Sequence, residues 1–172
     1  MVAEPTNKEL LDRVEQDGTR FEKEMHACAR CALLAVARNL KLAEDDCVDA
    51  ALRAAMPLSG GIAGTRNHCG ALVGGIMALG LAIVKGSPRE ANVEERTASM
   101  KAAKQLYRWF EKEVGHVRCY DIRDASLGRS FDTSDPGEME KFVAAGGYEL
   151  CGGVVGKTAR KAAEMILEAQ QA

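Results

Sequence analysis

Six cysteines, at positions 28, 31, 47, 69, 119 and 151, are the residues whose chemistry goes furthest beyond packing in this 172-residue chain. Cys69 stands where a glycine-rich segment meets an apolar run, Thr65-Arg66-Asn67-His68-Cys69-Gly70. At such a helix start, free backbone N–H groups and the positive end of the helix dipole favour a thiolate. Arg66 and His68 would add to that, while Gly70 and Gly74 would let a cofactor, a substrate or another backbone approach closely. Burial in a tight helix crossing is an equal alternative, because free cysteine packs well. Cys119 follows Arg118 and lies three residues after His116. Cys151 is expected at the start of a last helix. Cys28 and Cys31 make a CxxC (CARC) inside a helical pattern, which removes the thioredoxin-like context that spacing would need, and one of the two is expected to pack. Cys47 follows two aspartates on a second helix and is expected to pack as well.

Absent patterns narrow the chemistry further. No histidine follows Cys31, so there is no CxxCH haem motif. GxxxxGK[ST], HExxH and a paired CxxC…CxxC are also missing, which leaves no nucleotide motif, zincin motif or zinc ribbon. With 23 basic and 25 acidic residues, the net charge of −2 gives no general attraction to nucleic acid or to anionic membranes. The longest uncharged apolar run, Cys69 to Val84, is too short for a membrane span of about 18 residues or more, and reads as a buried helix. The N-terminal residues show no secretory signal pattern, so the cysteines are expected in reducing cytoplasm, as metal ligands or redox thiols rather than structural disulfides.

Periodicity says what must position these thiols. A TNKE capping box at Thr6 to Glu9 opens an apolar stripe through Val14, Phe21, Met25, Cys28 and Ala35. It predicts one long helix, weakened at Gly18 and ending near Leu40. A second helix is predicted from Glu44 to Met56, stopped by Pro57. The glycine-rich loop Ser59–Gly64 (SGGIAG) then feeds a buried third helix from about Cys69. A charged helix follows from about Glu90 to Val114, then an irregular stretch from Gly115 to Pro136. A short helix after Asp135–Pro136 and a last helix from Cys151 to Ala169 complete the chain. The expectation is all-α, a single-domain bundle of five or six helices over residues 1–172. Cys69 and Cys151, each preceded by a glycine pair and followed by small residues, suggest two equivalent stations.

Cys69-Gly70-Ala71-Leu72-Val73-Gly74, with Cys31 before it and Cys119 and Cys151 after it, resembles the C-GCAxxG-C-C family of redox-active proteins. The likeness takes in the preceding GGIAG and the following MALGL, and spans about residues 25–165. It implies a small helical prokaryotic protein working through Cys31, Cys69, Cys119 and Cys151. Cys28 and Cys47 fall outside the pattern, and Cys31 is aligned through CALLAV. A related domain occurs in split-Soret cytochromes, but without CxxCH a haem role does not carry over.

Three chemistries follow from that resemblance. Four thiolates from four segments suffice for an iron–sulfur cluster and electron transfer to a redox partner protein. Alternatively Cys69 attacks a disulfide and Cys119 or Cys151 resolves it. Third, the same sulfurs could hold structural zinc or a soft metal without redox work. Four separated cysteines exceed what exchange needs, and a closed zinc site needs no glycine-lined approach, so the cluster is preferred. The small-residue face Gly70, Gly74 and Gly75 also allows a homodimer.

Overall fold

The computed structural model describes residues 5–87, 89 and 92–171. Among them the chain forms eight α-helices and no strand, so it is all-α with more helices than the five or six expected. The difference comes mainly from two places where the sequence pattern hides a break or a start.

The first break divides the long N-terminal stripe. Helix α1 runs Asn7–Met25, opened by the capping box, in which the Glu9 N–H donates to Thr6 Oγ1 and the Thr6 N–H donates to the Glu9 carboxylate. His26 then turns left-handed, at φ 54°, while its N–H still donates to the Glu22 carbonyl at 2.9 Å. The chain restarts at Ala27 and α2 spans Cys28–Leu40. The apolar stripe continues through the break because both helices bury the same side, so periodicity alone cannot show it. Gly18 is not a weak point. It faces α8, where an added Cβ would lie 3.1 Å from the Gly156 Cα.

Helix α3 (Asp45–Ala55) and a 3₁₀ turn over Met56–Leu58 lead into residues 59–67, which carry no helix. There Gly60, Gly61, Ile62, Ala63, Gly64 and Arg66 all have positive φ. Gly61 is obligatory, because a Cβ would come within 2.6 Å of the Arg66 and Asn67 backbone. Helix α4 is Gly70–Ile83 and α5 is Val93–Val114; the expected α5 start at Glu90 lies outside the described residues.

The second discrepancy is the stretch after α5. Cys119–Leu127, expected to be irregular, forms α6, with Arg118 at its N-cap and Gly128 closing it at φ 76°. Helix α7, Pro136–Ala144, starts as expected from the Asp135 cap, whose carboxylate accepts the Glu138 N–H at 2.8 Å. Helix α8 spans Gly147–Gln171, four residues earlier than expected, so Cys151 sits in its second turn and not at its start. The two-station symmetry between Cys69 and Cys151 therefore fails.

Packing centres on α2, where Ala29, Cys31, Ala32, Leu33, Ala35 and Val36 are fully buried. Helices α1, α4 and α8 surround it, and α5 closes over α4 and α8 through Leu106 and Phe110. The α1–α8 and α2–α4 crossings are lined by glycine and alanine, which draws the backbones close and holds the loop-facing helix ends together. Among the described residues no helix is long and apolar enough to cross a membrane.

Candidate functional site

At the end of the bundle where α2, α4 and α6 begin lies a partly open cavity of about 230 Å³. Four cysteines line it, from four helices: Cys28, Cys69, Cys119 and Cys151. Cys28 is the first residue of α2, Cys69 the N-cap of α4 and Cys119 the first residue of α6. Three helix N-termini thus deliver a sulfur each, and α8 supplies the fourth.

Backbone hydrogen bonds set two of these positions. His68 and Arg118 form an isolated antiparallel bridge. Beside it the Cys69 N–H donates to the Val117 carbonyl at 2.9 Å, and the Cys119 N–H donates to the Asn67 carbonyl at 2.6 Å. The starts of α4 and α6 are clamped by their own main chains. Cys28 is placed differently, since its sulfur occupies the space where Gly70 has no Cβ, and a side chain at residue 70 would collide with it.

Gly70 and Gly74, expected to admit a cofactor, serve the α2 crossing. Neither lines the cavity, and a Cβ on Gly74 would strike the Ala29 carbonyl. Of the two cysteines in CARC, the cavity receives Cys28 and not Cys31. Cys31 is fully buried one turn further along α2, next to Glu22. The reason is the His26 break, which swings the first turn of α2 toward the loop and leaves Cys31 facing α1. Cys47 is exposed on α3, away from the site, instead of packed.

The electrostatics are those of sulfurs taken out of water. Burial pushes the Cys28 thiol up to about 11, the Gly60 amide opposing the rise, and Cys151 up to about 12. Cys69 is raised well above its ordinary range, by burial first and then by the thiols of Cys28, Cys119 and Cys151. The activated Cys69 thiolate expected from its helix-start position is therefore not what its surroundings favour. Cys119 is raised by burial as well, against the pull of Arg123 and Arg66.

Beyond the sulfurs the cavity is lined by Glu22, Arg123, His26, Tyr148 and Phe142, among others. Glu22 is 4% exposed and Arg123 6% exposed, and Glu22 Oε2 and Arg123 Nε have no hydrogen-bond partner. Ser59 Oγ, also in the lining, has none either, and because buried polar atoms are nearly always paired, three orphans in one cavity point to a polar occupant, water included. The Arg123 guanidinium lies 4.3 Å from the Phe142 ring centre, and Tyr148 stacks on His26 with centroids 3.7 Å apart. Burial raises the Glu22 carboxyl to about 7, opposed by the Cys31 thiol, the Ala27 amide and Arg123. The sequence pattern favoured Cys31 over Cys28 through the CALLAV alignment and did not single out Glu22 or Arg123. The signals were present: Glu22 lies four residues after Gly18 on the packed face of α1, and Arg123 one turn after Cys119.

An iron–sulfur group, the cofactor implied by the resemblance, would need soft donors around a space wider than one ion. Among the described residues no group of three or more His, Cys, Asp or Glu side chains is placed so that it could hold a metal ion. The sulfurs instead surround a void larger than the roughly 150 Å³ cavity that admits benzene. The donor types and the space fit such a group, while the four thiols are not drawn together as a ligand set.

No curated protein and no solved structure matches the chain. A family model does, from residue 26 to residue 165, across the His26 break, all four cavity cysteines and most of α8. The chain belongs to the C_GCAxxG_C_C family, described as "Putative redox-active protein".

Proposed function

We infer that this protein is an electron-transfer protein whose cavity holds an iron–sulfur cluster on Cys28, Cys69, Cys119 and Cys151. The carrying observation is that four cysteines from four helices line one cavity whose lining also includes unpaired buried atoms of Glu22, Ser59 and Arg123. This ligand set replaces Cys31 by Cys28. When bound, the cluster supplies one-electron oxidation and reduction. The chain's own residues do the rest. Buried thiols that resist ionisation alone ionise readily against a cationic iron centre, which explains why burial is tolerated here. The α2, α4 and α6 N-termini add positive dipole ends around sulfur-borne negative charge, favouring the more reduced state. The Phe142, Ile122 and Val155 side chains restrict water. Arg123 offsets the negative charge of thiolates and of Glu22. Four reduced thiols suit a reducing compartment such as the cytoplasm, and a protein redox partner would exchange electrons at the cavity mouth.

Purification without oxygen, followed by a visible spectrum and counts of iron, acid-labile sulfide and zinc, tests this reading. Iron and sulfide with charge-transfer bands are expected. Serine at residue 28, 69, 119 or 151 should lower bound iron by at least about tenfold through lost thiolate ligation. Cys31→Ser and Cys47→Ser should retain it. Zinc without colour, or iron that survives Cys28→Ser and is lost with Cys31→Ser, would overturn the assignment.

A further inference from the structure

CARC at residues 28–31 is divided by the cavity: Cys28 lines it, while Cys31 lies behind it with no exposure. Its position in the fold is nonetheless that of a redox pair. The His26 break makes Cys28 the first residue of α2, and the Cys31 N–H donates to the Ala27 carbonyl at 2.9 Å, so both cysteines belong to one closed first turn. On a helix of about 1.5 Å rise and about 2.3 Å radius, residues three apart have Cα atoms roughly 5 Å from each other. A disulfide spans Cα separations of about 4.4–6.8 Å. Helix geometry therefore brings the pair within bonding reach, with only side-chain rotation and small adjustments of the first turn required.

We propose that Cys28 and Cys31 form a reversible dithiol–disulfide couple, with Cys28 exchanging between the group in the cavity and Cys31. The couple stands on the geometry of α2, and only the exchange rests on the cluster reading above. The oxidant is a low-molecular-weight disulfide, RSSR. Cys28 is half-buried beside the cavity and Cys31 is not exposed, so the first attack falls to Cys28. With Cys28 as a free thiol, its sulfur bonds to one sulfur of RSSR, and the other leaves as RSH carrying the Cys28 proton. The Cys31 sulfur then bonds to the Cys28 sulfur and the second RSH leaves with the Cys31 proton. Two cysteine thiols are oxidised, one disulfide is reduced and no proton is left over. The product takes Cys28 from the cavity, leaving Cys69, Cys119 and Cys151, so the group it holds is retained only while the couple is reduced.

The test is equilibration of the purified protein in glutathione buffers from fully reduced to fully oxidised, with alkylation, digestion by trypsin without reductant and mass spectrometry. Trypsin cuts after Lys23, Arg30 and Arg38, so Cys28 and Cys31 leave on separate peptides that only a disulfide joins. Iron and visible absorbance are followed on the same samples. The joined peptides are expected to become the main form at oxidising ratios, with iron lost in step, and both to reverse on reduction. Cys31→Ser should instead accumulate a glutathione adduct on Cys28. Joined peptides in protein that never held iron would uphold the couple and sink the cluster. Separate peptides at every ratio with iron intact would sink the couple and leave the cluster standing. Cys28 joined to Cys69, Cys119 or Cys151, or an unmodified Cys28 in Cys31→Ser, also overturns the proposal.

Discussion

Replacing Glu22 by glutamine is expected to stabilise the metal-free protein by about 2–3 kcal/mol at pH 8 more than it does at pH 4. The carboxyl is ordinary at 4.5 in the unfolded chain and raised to about 7 in the fold. Below pH 4.5 both states are protonated and burial of the neutral acid carries no charge penalty. Between 4.5 and 7 the unfolded state gives up its proton while the folded state keeps it, so stability falls as pH rises. Above 7 the folded state ionises too and the loss becomes constant. Burial is the largest cause of the shift, and Arg123 of α6, Arg30 of α2 and the Cys31 thiol oppose it without cancelling it. Glutamine keeps the shape and an acceptor oxygen but cannot ionise. Glu22 is a negative partner for Arg123 only once it ionises above about pH 7, and that attraction is already contained in its folded value, so the difference between the two pH values reports Glu22 with its surroundings. Paired urea titrations at pH 4 and pH 8 measure it, because other groups titrate alike in both proteins. An equal effect at both pH values would mean that Glu22 keeps its ordinary value of 4.5 in the fold, solvated through the cavity.

How much of this was legible beforehand differs from residue to residue. The capping box at Thr6–Glu9, the Asp135–Pro136 start of α7 and the buried run of α4 could be read because each is encoded by neighbouring residues. Cys69, Cys119 and Cys151 could be read as one set through the resemblance. What could not be read depends on contacts far apart in sequence. The His26 break leaves no local mark, since neither proline nor glycine is there; a histidine takes the left-handed cap and stacks on Tyr148 of α8. That one residue decides which cysteine of CARC faces the cavity, and aligning CALLAV could not reveal it. Helix α6 was hidden by its charge. Arg118, Asp121, Arg123 and Asp124 look like a solvated loop until the bridge to His68 fixes where the helix begins. The glycines of the family motif were read as admitting a cofactor, a substrate or another backbone, and the neighbour they meet, the α2 backbone, is an element that sequence spacing does not name.

Gly74→Ala gives that last point its sharpest test, with an expected loss of about 3 kcal/mol or more in folding stability. The nearest atoms to the added methyl are the Ala29 carbonyl oxygen, then its carbon at 2.9 Å and the Ala29 Cα at 3.1 Å. All belong to backbone, so no rotamer can relieve the clash and α2 and α4 must move apart. Alanine's better helix propensity returns only about 1 kcal/mol. Gly80→Ala in the same helix is the control: nothing lies within 4 Å of its Cβ, and a gain of about 0.5–1 kcal/mol is expected. The two variants make the same chemical change six residues apart and should move the urea midpoint in opposite directions. A second readout ties the crossing to the site. Because Gly70 and Gly74 hold α4 against the first turn of α2, spreading the helices carries Cys28 away from Cys69, and bound iron should fall in Gly74→Ala but not in Gly80→Ala. A Gly74→Ala protein as stable as the parent would show that the α2–α4 crossing is looser than the fold requires. Full stability with lost iron would return these glycines to the role first expected of them, lining the approach to the bound group.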